Sequence, residues 1–222
     1  MKYHPSIFGA SSIRGILADA KTMTRRIVKR SNSIVDVRRR SESDWCSLDF
    51  SAAFIDPGPS LTGNPGPYLK VPRRELETVH RVYSVYQPGD RLWVREMFAH
   101  QPAEYEWNVS TSIPRIPAET WYRADFANGE SYNATMPWRP SIHMPRSLSR
   151  ITLEIESVRP ERLRDITEAD AKAEGAEWVK EDHIPLHSYQ RGFESIWTSL
   201  YGHGSWEANP WVWVIKFKRV ES

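Results

Sequence analysis

Apolar and polar residues alternate over residues 150–158, which is the pattern of a half-buried β-strand. Ile151, Leu153 and Ile155 fall on one face of this segment, and polar residues fall on the other. A Pro-Gly-Asp turn at 88–90 precedes a second alternating run. The strands predicted in this way and by β-forming composition lie at 21–28, 91–96, 120–124, 150–158 and 211–217.

Helical periodicity appears near the start and near the end of the chain. Residues 11–20 predict a helix that Ser11 or Ser12 caps, with an apolar face that includes Ile13, Ile16 and Leu17. Residues 189–200 predict an amphipathic helix. The apolar face of that second helix is predicted from Phe193, Ile196, Trp197 and Leu200.

A short helix is predicted between these two, directly after the clearest strand. Thr167 is placed to cap a helix over 168–174, and Asp170 takes the third position of a capping box in place of the preferred Glu. Gly175 follows, and glycine is the usual residue just past a helix end.

Two long segments interrupt this regular pattern. Residues 31–79 contain many Pro and Gly residues and read as an insertion with short strands around 45–54, and 100–136 reads as a second insertion. Residues 138–146 carry two prolines, so they predict an ordered loop rather than a central strand. The fold class is therefore α+β: one domain over 1–222, built on a small β-barrel with flanking helices and two insertions.

The composition is that of a globular protein, and it excludes several kinds of functional site. The 222 residues are 40% hydrophobic and 26% charged, and 10 are Trp, too many for all of them to be core residues. The single cysteine, Cys46, excludes an internal disulfide, and the scattered histidines give no metal site; His183 and His187 are four residues apart but have Pro185 between them. No long apolar run, Walker loop or Rossmann glycine motif is present, so we expect a cytoplasmic protein without cofactor or membrane anchor.

Positive charge is concentrated although the net charge is only +2. Residues 21–40 hold eight basic residues and one acid, Asp36. Such an excess suits phosphate binding, but residues 38–40 suit a solvated basic loop equally well.

The segment 21–26 (Lys-Thr-Met-Thr-Arg-Arg) carries the main candidate chemistry. In a strand, Lys21, Met23 and Arg25 face one way, whereas Thr22, Thr24 and Arg26 face the other. The end of the preceding helix can bring Lys21 and Thr24 to one cleft. An amine that lies beside a hydroxyl can activate that hydroxyl as a nucleophile. The same residues also suit a basic strand that holds phosphate.

Several segments together resemble the ASCH domain, a family with a PUA-like β-barrel. The matching segments are 16–25, 88–96, 149–175 and 209–214. The longer pattern, including 138–146 and Arg150, is similar to ASCH proteins of phages and prophages of enteric bacteria. The resemblance covers about two thirds of the chain and leaves both insertions outside the minimal domain.

The resemblance implies two kinds of activity. Small bacterial members of the family hydrolyse N4-acetylcytidine with a Lys, a Thr and a Glu, which fall here on Lys21, Thr24 and Glu174. Other members are implicated in RNA binding or RNA cleavage. In the hydrolase, Lys21 is expected to take the proton of the Thr24 hydroxyl, and Glu174 to pass a proton to the leaving amine.

Further residues are candidates to hold nucleic acid or a nucleotide. Arginines suit phosphates and base edges, tryptophans suit stacking, and the loop 138–146 supplies a rim that includes His143 and Met144. The opposing interpretation is that several of these arginines pair with Glu96, Glu154 or Glu156, and that Trp93 belongs to the core. The predicted binding residues are Arg26, Trp93, Arg95, Glu96, Trp138, Arg139, His143, Arg146 and Arg150.

Three hypotheses follow for function. The first is a module that binds RNA or a modified nucleotide in a basic cleft of the barrel. The second is an amidohydrolase acting on N4-acetylcytidine-type nucleosides. The third is a phage factor whose insertions engage a host protein.

Overall fold

The computed structural model describes residues 1–29, 31, 33–35, 45–55, 68–74, 78–101, 104–108, 111–116, 118–126, 136–179 and 188–220. Strands outnumber helices in these ranges, so the fold class is α+β, as predicted. The basic residues 38–40 and the Pro-rich stretch 57–67 lie outside the described residues.

The regular elements of the described ranges are mostly short. The helices are α1 (Ala10–Leu17), α2 (Glu168–Ala173) and α3 (Tyr189–Tyr201). The strands are β1 (Tyr3–Ile7), β2 (Met23–Ile27), β3 (Ser33–Val35), β4 (Phe54–Ile55), β5 (Tyr68–Pro72), β6 (Val79–Ser84), β7 (Arg91–Arg95), β8 (Phe98–Gln101), β9 (Glu104–Asn108), β10 (Thr111–Ile116), β11 (Glu119–Tyr122), β12 (Thr152–Arg162) and β13 (Trp211–Val220).

These strands form four sheets. The largest has the order β1-β7-β12-β13-β2, and a second has the order β3-β6-β5-β4. The remaining two are the antiparallel pairs β9 with β10 and β8 with β11. None of these sheets closes into a barrel within the described strands.

The contacts between its residues divide the chain into two compact units. The described residues of unit 1 lie in the ranges 1–2, 20–91 and 154–218. Those of unit 2 lie in the ranges 3–19, 92–153 and 219–220.

Unit 1 has a core between its sheet and the two C-terminal helices. β2 pairs antiparallel with β13, with Val214 opposite Arg25 and Ile215 opposite Thr24. One face of this pair, which includes Met23 and Val214, packs against α2 and α3. Thr24 therefore points to the opposite face of β2, as the alternation of the sequence predicted for Lys21 to Arg26.

Both C-terminal helices have the caps that their sequences favour. Thr167 Oγ1 accepts a hydrogen bond from Asp170 N, which confirms the predicted cap of α2, and Ser188 Oγ caps α3 in the same way. In α3 the predicted apolar face is only half right. Phe193 and Trp197 are buried, but Ile196 and Leu200 are 37% and 70% exposed, because one narrow stripe of the helix meets the core.

The segment predicted as the first insertion contributes β3, β4 and β5 to a sheet of unit 1, which β6 completes. β3, β5 and β6 pair in register, and the buried side chains of β5 and β6 include Leu69, Val71 and Val82. The indole of Trp213 donates a hydrogen bond of 2.8 Å to Ser33 Oγ of β3. Around the predicted short strands at 45–54, the described residues include a helical pair at 45–46, an isolated bridge between Leu48 and Arg73, and the start of β4.

Unit 2 places Leu92 and Val94 of β7 in its core, as the alternation predicted. Ile13 and Ile16 of α1 are also buried, but the predicted serine cap is wrong: α1 begins after Gly9, without a side-chain cap. Residues 138–146 form 3₁₀ turns at Ser141–His143 and from Arg146 onward, which confirms an ordered loop. Within the described residues, no helix is long and apolar enough to cross a membrane.

Candidate functional site

Lys21 and Glu174 form a buried ion pair in unit 1. Lys21 Nζ donates to Glu174 Oε2 at 2.8 Å and to the Glu174 carbonyl oxygen at 2.5 Å. The two side chains are only 6% and 4% exposed. Two of the three predicted catalytic side chains are therefore in direct contact.

The backbone around this pair explains the close approach. Thr22 N donates to Ala173 O at the end of α2, and Phe217 N donates to Thr22 O, so the segment before β2 is tied on both sides. Gly175 has a φ of +79° and lies against Lys21: a Cβ at position 175 would sit 3.4 Å from the Lys21 Cβ. The positive φ favours glycine at 175, where it ends α2, whereas the distance to Lys21 is an ordinary van der Waals contact.

Thr24, the third predicted catalytic residue, is buried but lies apart from this pair. It points to the opposite face of β2 from Arg25, and no hydrogen bond joins its hydroxyl to Lys21 or Glu174 within the described ranges. In this arrangement the hydroxyl and the amine are not in contact.

Arg25, which was not among the predicted site residues, contacts Glu174 instead. Its side chain is fully buried, and Nη1 donates to Glu174 Oε1 at 3.3 Å. Nη2 donates to Glu161 Oε1 at 2.8 Å and to Asp170 Oδ2 at 3.0 Å. The sequence feature that pointed to Arg25 was the alternation along 21–26, which placed Arg25 on the same face as Lys21.

Arg159 completes a charge-balanced network at the more exposed side. Its guanidinium bonds to Asp170 and to Glu161. Three cations and three carboxylates therefore alternate from Lys21 outward, and we call this set the unit 1 network: Lys21, Arg25, Arg159, Glu161, Asp170 and Glu174. Because the carboxylates occupy these donors, the cations are not free to hold a phosphate in this arrangement.

A second network surrounds Arg150 in unit 2. The guanidinium donates to both carboxylate oxygens of Glu96, at 2.9 and 3.1 Å, and to both oxygens of Asp125, at 2.7 Å each. It also lies 4.0 Å from the centre of the Tyr122 ring, whose hydroxyl donates to Leu148 O. Asp125 and Tyr122 were not predicted.

The pKa values of this second network follow from burial and from the shared guanidinium. Burial raises the pKa of Glu96, and the hydrogen bond and charge of Arg150 offset only part of that rise. Burial likewise raises the pKa of Tyr122. For Arg150, burial alone lowers the pKa, but the hydrogen bonds that it donates to Glu96 and Asp125, together with the charges of these carboxylates, outweigh burial and raise the pKa. Arg150 is thus a paired residue, as the opposing interpretation expected.

Two arginines of unit 2 stack on aromatic rings near the loop 138–146. The Arg95 guanidinium lies 5.2 Å from the centre of the Trp93 ring and donates to Ile142 O. The Arg146 guanidinium lies 3.7 Å from the centre of the Tyr3 ring. Trp93 is half-buried, so the expectation of a core tryptophan is wrong.

The other residues of the loop 138–146 differ in how exposed they are. His143 and Arg139 are exposed, and the backbone of Arg139 bridges to Phe98 of β8. Trp138 packs edge-on against Phe126, with 5.6 Å between the ring centres. Met144 is buried and therefore does not line the rim, because its side chain fills the core under the loop.

Arg26 lies in unit 1, opposite Trp213 on the face of β2 that carries Thr24. It is half-buried. Burial raises the pKa of the Tyr86 hydroxyl, and the charge of Arg26 offsets only part of that rise. Among the described residues, no group of three His, Cys, Asp or Glu side chains is arranged to hold a metal ion. His183 and His187 lie outside those residues.

No protein-family profile, curated protein or solved structure matches this chain.

Proposed function

We propose that the protein binds RNA through an aromatic and basic surface of unit 2. We call this surface the rim and define it by Tyr3, Trp93, Arg95, Arg139, His143 and Arg146. The observation that carries the proposal is the pair of stacked arginines, Arg95 on Trp93 and Arg146 on Tyr3.

The rim combines the two interactions on which single-stranded RNA binding depends. Arg139, His143 and Arg146 are exposed, so they are accessible to phosphates. Trp93 and Tyr3 are half-buried rings that carry the Arg95 and Arg146 guanidinium groups on one face, and a base stacks on such a planar group with little regard to sequence. The rim differs from Arg150 in this respect, because two carboxylates already occupy the Arg150 guanidinium.

The proposal includes an ASCH domain with a PUA-like barrel, of the kind found in phages and prophages. Its support is the order of the matching segments together with the α+β fold. We also propose a cytoplasmic protein, in keeping with a lone cysteine, Cys46, that is exposed and unpaired.

The variant Arg139→Ala/Arg146→Ala, which removes the two exposed arginines of the rim, is expected to weaken RNA binding and to make it less dependent on salt. Each phosphate contact that is lost lowers the slope of log K against log salt by about 0.7 for a single strand, so two lost contacts lower it by about 1.4. Filter binding of a labelled single-stranded RNA at several salt concentrations measures both quantities.

The control is Arg219→Ala, which also removes one exposed arginine from unit 2 but one that pairs with Asp19. Its affinity and slope are expected to stay close to those of the wild type. Failure of the wild type to retain single-stranded or structured RNA at low salt excludes the proposal.

The contact between Lys21 and Glu174 favours a second candidate function, hydrolysis of N4-acetylcytidine. In this reaction the Thr24 oxygen attacks the acetyl carbonyl and its proton goes to the Lys21 amine. The C–N bond then breaks, the leaving amine takes a proton by way of Glu174, and water releases acetate from Thr24. Lys21 acts as the base only after it gives up the proton that it shares with Glu174, and Thr24 must approach the amine.

Thr24→Ala is expected to abolish cytidine release, because no oxygen remains to be acylated, whereas Thr24→Ser keeps the hydroxyl and is expected to retain part of the rate. Glu174→Gln is expected to lower kcat by about 10²-fold or more, the usual share of a proton-transfer group. Chromatography of N4-acetylcytidine incubated with each protein measures the rates. Absence of cytidine with the wild type, or an unchanged rate in Thr24→Ala, rules out this candidate.

A further inference from the structure

A groove of about 780 Å³ opens on unit 1 beside the first turn of α3. It lies within the size range of small-molecule sites. It does not involve Lys21, Thr24 or the rim of unit 2, and neither proposed function uses it.

Three aromatic rings line this groove: Trp178, Tyr189 and Trp206. Tyr189 and Trp206 pack against the core of unit 1, and Trp206 also meets the edge of Phe193. Trp178 stands 6.0 Å from Tyr189, measured between ring centres, and its surface is 62% exposed. Two rings are therefore fixed by the core and the third presents a large apolar face to solvent, which is a ready stacking platform.

Most of the charged groups in the groove are already engaged. The carboxylate of Glu168 accepts from the backbone N–H groups of Tyr189 and Gln190 at the start of α3. Arg191 pairs with Glu194 at 3.1 Å.

The exception is Arg164, whose backbone N–H donates to Asn209 Oδ1. Its exposed guanidinium makes no hydrogen bond or ion pair with another residue of the described ranges. The uncommitted charge of the groove is therefore a single guanidinium, which suits an anion.

The geometry points to a binding site for a nucleoside monophosphate in this groove. The base stacks on the exposed face of Trp178, which Tyr189 supports from behind, and Arg164 pairs with the phosphate. A planar ring that carries an anionic group uses both features, whereas an uncharged ring leaves Arg164 unused and an inorganic anion leaves the three aromatic rings unused.

Calorimetric titration of the full chain with AMP, adenosine and inorganic phosphate tests the site. AMP is expected to bind more tightly than either fragment. Trp178→Ala and Arg164→Gln are each expected to weaken AMP binding by about tenfold, the scale of one stacked base or one charge-assisted hydrogen bond. Both residues are exposed, so neither substitution is expected to disturb folding.

The matched control is Arg219→Gln, which removes the same charge from unit 2 and is expected to bind AMP as the wild type does. Adenosine or phosphate binding as tightly as AMP overturns the assignment, as does the absence of AMP binding or an equal loss in the control. Binding of a phosphotyrosine peptide without binding of AMP also overturns it, in favour of a peptide site.

Discussion

Replacing Arg25 by methionine is expected to lower the free energy of unfolding by about 3–5 kcal/mol. The Arg25 side chain is fully buried and bonds to Glu174, Glu161 and Asp170. Methionine has a similar length but no charge, so Glu174 keeps only Lys21 as a partner while it remains buried. The loss therefore arises mainly from a carboxylate that stays out of water with one of its two cations removed.

Chemical denaturation of the full chain measures this loss, and Arg159→Met is the control. Arg159 belongs to the same network and touches two of the same carboxylates, but its side chain is 40% exposed. Its removal is expected to cost less than about 1 kcal/mol, because water replaces it. If the two variants lose similar amounts of unfolding free energy, the contribution of the network to stability does not depend on its buried end. Arg25→Lys is expected to fall in between, since an ammonium keeps the charge but does not reproduce the forked geometry.

The position of Arg25 shows how far the sequence leads to this site. Alternation along 21–26 was sufficient to place Lys21 and Arg25 on one face and Thr24 on the other. It did not identify the acids that meet Arg25, since these lie between 136 and 149 residues further along the chain. Only the pairing of β12 within the sheet and the packing of α2 against that sheet bring them to that face.

The resemblance to ASCH proteins supplied one pairing that local pattern lacked. It named Glu174 together with Lys21, and these two side chains touch in the structure. It also named Thr24, which stays a prediction: the strand geometry that aims Arg25 at Glu174 turns the intervening Thr24 away. A motif read along the chain gives residue types, whereas contacts across a strand depend on which face each residue takes.

The first insertion was predicted less well, for a physical reason. Its strand β5 is short, as is β6 directly after it, and the segment contains many Pro and Gly residues, so local propensity favoured loops. They are stabilised by pairing with each other and by burial, as Leu69 opposite Val82 shows. Strand pairing of this kind depends on tertiary context more than on intrinsic preference. The helix α1 was located well, but its cap was misplaced because Gly9 begins it without a side-chain oxygen.

Trp213→Ala is expected to destabilise the protein by about 3–5 kcal/mol, the usual cost of deleting a buried aromatic side chain. Trp213 is fully buried in β13 and donates to Ser33 Oγ of β3, so the substitution removes both the packing and the hydrogen bond. Trp213→Phe keeps an aromatic ring but removes the indole N–H, so it measures the hydrogen bond and is expected to cost about 1 kcal/mol. Trp178→Ala is the control, expected within about 0.5 kcal/mol of the wild type because that ring is largely exposed. Denaturation midpoints that rank Trp178→Ala as the more damaging change contradict this assignment of the core.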